Sequence, residues 1–110
     1  MALDVEGLAT QMLGAALPIL KKNAQNARSF ARVEFAKIAQ TIVSIADQLA
    51  TGEINQQQAV LLLSMQTSAS RNVLLTLQGL ALLAVEEAIN AALGVVKTVV
   101  NTAVGFSLIA

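Results

Sequence analysis

Apolar residues recur along this chain at helical intervals rather than in the alternation of a strand. With each residue turned about 100° from the last, Leu17, Leu20, Ala24, Ala27, Ala31, Phe35, Ile38, Ile42, Ile45 and Leu49 fall on one narrow stripe. From Phe35 to Leu49 the steps alternate three and four residues, the spacing of a coiled-coil-like seam offered to another helix. Further along, the polar stripe is the narrow one. Asn72, Thr76, Gly79, Glu86, Glu87, Asn90, Gly94, Lys97 and Asn101 share it, interrupted by Leu83. Leu, Val, Ile and Ala hold most of the remaining circumference, so this segment predicts a helix that must be covered from several sides.

The clearest punctuation lies between these two patterns. In Thr51-Gly52-Glu53, Gly52 can take the left-handed conformation that ends a helix, and Asn55 with Gln58 three residues on can form a capping box that starts the next. So short a turn predicts an antiparallel helical hairpin. Breaks are expected near Pro18, which removes a backbone donor and crowds the preceding turn, and near Ser70, where residues 66–72 are rich in side chains that compete for backbone hydrogen bonds. A break near Ser70 gives four helices; without it the second arm is continuous. The expected fold is all-α, a single domain of residues 1–110, with a short N-terminal helix at 1–16, a first arm at 17–50 and a second arm at 54–108.

Folding the chain back at Gly52 sets level those positions whose numbers sum to roughly 104, given ~1.5 Å rise per residue in each arm. Arg71 then stands opposite Glu34 as a salt bridge. Two arms cannot cover a face as broad as that of the second, because each shields one side of its neighbour. Either the arms break into a compact four-helix bundle or chains associate. The pattern favours association: a homo-oligomer of hairpins, with a dimer forming a four-helix bundle as the simplest case. Its candidate interface is Phe35, Ile38, Ile42, Ile45 and Leu49 from the first arm and Leu77, Ala84, Ala88 and Ala92 from the second, where the alanines allow close helix approach.

Composition adds a membrane question. Of 110 residues, 55% are hydrophobic and only 13% charged, and the mean hydropathy is +0.66, against roughly 25% charged residues in ordinary soluble domains. The longest apolar runs, 72–85 and 98–110, fall short of the ~18 to 20 residues of a spanning helix. Residues 72–110 nevertheless carry only Glu86, Glu87 and Lys97 as charges, so the alternative to self-assembly is a membrane-active or membrane-anchored hairpin using that segment. No Trp or Tyr forms an aromatic belt. Asp4 and Glu6 stand where a secretory signal would carry Lys or Arg, so no targeting segment is read and the cytoplasm is the default.

Candidate chemistry is sparse. Without Cys or His the sequence lacks thiolate nucleophiles, Cys/His zinc ligands and the usual base near neutral pH, and Ser64, Ser68 and Ser70 have no histidine to activate them. The expectation is a non-enzymatic protein with no metal and no cofactor. A formal net charge of zero hides a basic band, since residues 21–37 hold five basic groups and one acid. Lys21, Lys22, Arg28 and Arg32 are the candidate anion contacts. With only Phe30 and Phe35 nearby there is no base-stacking platform, so a coat or packaging role on nucleic acid is the weaker alternative, and a solvated or intersubunit charge face the stronger.

Overall fold

The computed structural model describes residues 3–21, 27–76 and 81–110. Within them the chain forms four helices and no strand: α1 (Val5–Lys21), α2 (Ala27–Ala50), α3 (Gln56–Leu75) and α4 (Leu82–Val104). They pack as an elongated bundle of 42 × 22 × 19 Å. α1 lies against both α2 and α4, and α2 lies against α1 and α3, whereas α3 and α4 touch lightly. A single chain thus forms the four-helix arrangement.

Each helix buries a stripe at steps of three and four. α1 contributes Leu8, Met12, Ala16 and Leu20; α2 contributes Ala31, Phe35, Ile38, Ile42 and Ile45; α4 contributes Val85, Ile89, Ala92, Val96 and Val100. The inward stripe of α3 is mixed, with Ala59, Leu63 and Leu74 joined by the buried polar residues Thr67 and Ser70.

Local chemistry sets the helix ends. The Asp4 carboxylate accepts from the Gly7 amide at 2.9 Å at the start of α1. Between α2 and α3, Gly52 sits at φ 77°, and Asn55 and Gln58 exchange side-chain-to-backbone bonds in a capping box. Thr41 of α2 donates to Gln66 of α3 at 3.4 Å. These positions stand nearly equally far from the turn, so the two helices run antiparallel. α4 ends at Gly105, whose φ of 84° reverses the chain. The Asn101 side chain then holds the returning segment by two bonds to Ile109, and Leu108 and Ile109 are buried.

Three expectations change. α1 continues through Pro18 to Lys21, so residues 17–21 belong to the N-terminal helix and the first arm proper begins at Ala27. Pro18 and Gly14, the residue whose carbonyl loses its donor, are both exposed, so water can satisfy that carbonyl and the missing Cβ of Gly14 eases the local distortion. α3 also runs through Ser70, and the second arm divides instead between Leu75 and Leu82. The polar run stays helical because its side chains bond one another or their own helix. Gln66 Nε2 donates to Ser70 Oγ at 3.1 Å, and the Thr67 hydroxyl donates to the Ser64 carbonyl at 3.1 Å. Lastly, Glu34 pairs with Lys37 on its own helix at 3.2 Å rather than with Arg71. The Arg71 Nε is buried with no hydrogen-bond partner.

Candidate functional site

The seam that sequence pattern offers to a second chain is spent inside this one. Phe35, Ile38, Ile42, Ile45, Ala88 and Ala92 are fully buried in the core, and Leu49 packs against it half-buried. Ala84 is half-buried, and Leu77 lies outside the described residues. These side chains meet a second copy only if the bundle opens. α4 is likewise covered on one face, with Leu82, Leu83, Val95 and Val99 left exposed.

The surface that remains uncovered on α3 is unusual in chemistry. Gln56, Gln57, Gln58, Val60, Leu61, Ser64, Met65, Ala69 and Asn72 are its exposed residues, and none is charged. Leu61 and Met65, one turn apart, are each 60% exposed. Beside them, between α3 and α2, runs a groove of about 570 Å³ walled by Gln40, Thr41, Ser44, Ile45, Gln48, Leu62, Met65 and Gln66, with Lys37 at its charged end. Ridge and groove therefore lie side by side on one face.

The four candidate anion contacts do not assemble fully. Arg28 and Arg32 are exposed on the first two turns of α2 and line a cleft against α1 together with Glu6, Ala9, Thr10, Leu13 and Ala36. Glu6 thus supplies a carboxylate to this cleft from a helix that the hairpin alone leaves out. The side chain of Lys21 and the whole of Lys22 lie outside the described residues.

Two features escaped sequence reasoning. Glu34 is buried, though its position three after Ala31 and four before Ile38 already put it on the seam face. The hook of Asn101 on Ile109 covers a cleft of about 370 Å³ between α3 and α4, lined by Val60, Leu63, Thr67, Asn90, Leu93 and the last three residues. The signal that could have found the hook is Gly105, a residue able to end a helix in the left-handed conformation, followed by the apolar Phe106, Leu108 and Ile109.

Among the described residues, no group of three or more acidic, His or Cys side chains is placed to hold a metal ion, and no helix is long and apolar enough to cross a membrane. Comparison with protein-family models, curated proteins and solved structures gives no match to this chain.

Proposed function

We propose that this chain is a non-enzymatic helical assembly protein that associates with copies of itself, and that the contact is the outer face of α3 with the groove beside it. The observation that carries this reading is the pair Leu61 and Met65, each 60% exposed on a helix whose exposed positions hold no charge.

Such a face suits a second copy for three reasons. Its ridge repels no copy of itself, because the exposed residues of α3 carry no charge and Lys37 at the end of the groove is paired with Glu34. Its ridge and groove are neighbours, so a two-fold rotation seats the Leu61 ridge of each copy in the groove of the other, the self-complementarity that a closed dimer requires. A bundle side of 42 × 22 Å offers the roughly 800 Å² per partner that a stable interface buries. The chain's formal net charge of zero also removes long-range repulsion between copies.

Light scattering during size exclusion tests the proposal on the wild type and on Leu61→Glu/Met65→Glu. The expected result is a defined oligomer that the double variant dissociates while its helical circular dichroism is unchanged. A wild-type monomer at every concentration overturns the reading, as does an oligomer whose mass the double variant leaves intact.

A further inference from the structure

A different surface, at the end of the bundle away from Gly52, points to a lipid partner. α2 and α3 run antiparallel from the Gly52 turn, so the first turns of α2 and the last turns of α3 share the opposite end. α4 begins at Leu82, only seven positions after α3 ends at Leu75, and so starts at that same end. Four large apolar side chains stand exposed there: Phe30 at 48%, Val33 at 52%, Leu82 at 53% and Leu83 at 68%. Arg28 and Arg32 are exposed on the same turns of α2.

We infer that this end docks peripherally on an anionic bilayer surface, with Leu82, Leu83, Phe30 and Val33 entering the headgroup boundary and Arg28 and Arg32 meeting lipid phosphates. Apolar tips among basic groups are the composition that binds in the interfacial plane without crossing. The acidic groups nearby do not cancel it: Glu6 shares the cleft of Arg28 and Arg32, one carboxylate against two guanidinium groups, and leaves it positive. Glu34 is buried and held by Lys37. Glu86 and Glu87 lie about one turn further along α4, ~6 Å deeper into the protein, and so face water when the tips are seated. Contact with nucleic-acid phosphates would use the arginines and leave the exposed leucines unused, whereas a bilayer uses both. The inference stands apart from self-association through α3, and different side chains test it.

Vesicle flotation decides it, using phosphatidylcholine alone and phosphatidylcholine with phosphatidylserine. Expected are flotation with the anionic vesicles only, weakening with salt, and a fall in affinity of about tenfold or more in Arg28→Glu/Arg32→Glu and in Leu82→Ser/Leu83→Ser. Leu61→Glu/Met65→Glu should float like the wild type. Circular dichroism checks folding, and Arg28→Gln/Arg32→Gln replaces the charge-reversed variant if that one fails to fold. The inference is overturned by no flotation with either vesicle, by equal flotation with both, or by flotation unaffected by the leucine changes. Salt-sensitive binding to duplex DNA with none to vesicles overturns it too, in favour of a phosphate contact alone.

Discussion

The side-chain amide of Asn101 both donates to the carbonyl of Ile109 and accepts from its amide, each at 2.9 Å. Asparagine suits this, because its short planar amide carries a donor and an acceptor on separate atoms and can engage both backbone groups of one residue at once. The pair holds Leu108 and Ile109 in the cleft where α3 and α4 fail to close on each other.

Asn101→Ala should therefore lower stability by about 1–3 kcal/mol in urea unfolding, since it leaves both backbone groups of Ile109 without partners. Asn101→Asp keeps the acceptor and loses the donor, and should fall between. Hydrogen exchange at Ile109 should quicken in both. If exchange there is as fast in the wild type as in a short peptide, the hook does not hold in solution.

At the α2–α3 turn, Gly52→Ala should cost about 1 kcal/mol, because φ of 77° strains a side-chain-bearing residue although no atom stands in the way of a Cβ. Asn55→Ala removes one half of the capping box and should cost a similar amount. Both changes should leave association untouched. An altered oligomer mass in either variant argues that the turn itself lies in the contact.

Core and surface should separate cleanly on truncation. Ile42→Ala empties a fully buried site and should destabilise by about 2–5 kcal/mol, whereas Leu61→Ala should stay within about 0.5 kcal/mol. Equal stability loss at both positions in dilute, monomeric protein would mean that Leu61 packs inward in solution.

Pro18→Ala restores the amide that Gly14 lacks as a donor and should stabilise the protein, by up to about 3 kcal/mol and less at so exposed a site, read in thermal unfolding as a higher midpoint. Arg71→Met deletes the buried, unpartnered Nε and should be neutral or stabilising. A clear loss of stability in Arg71→Met would place a strong partner on that guanidinium.

What was legible in the sequence follows a physical line. All-helical architecture, the seam of α2 and the residues at the α2–α3 turn are local patterns, repeated every three or four residues or carried by two or three adjacent side chains. Pro18 and Ser70 misled because each penalty is set by surroundings: proline is tolerated where its orphan carbonyl meets water, and hydroxyls stop competing with the backbone once Gln66 and the Ser64 carbonyl engage them. The destination of the seam could not be read at all. A narrow apolar stripe asks for a neighbour, but only the placement of α1 and α4 decides that the neighbour is in the same chain. Arg28, Arg32, Leu61 and Met65 were visible as residue types, while their exposure depended on that same placement.

The packing order α4–α1–α2–α3 has a consequence in time. Of the four helices, α1 is made before the rest, yet one of its two chief neighbours, α4, begins some sixty residues after its own end. Until α4 arrives, Met12, Ala16 and Leu20 have only α2 to cover them, so the nascent chain carries a sticky flank while α2 and α3 are being made. Closing so long a loop slows folding, and a neighbouring nascent copy can offer its own apolar stripe first. Expression level and temperature should then govern how much of this protein is recovered as the single-chain bundle.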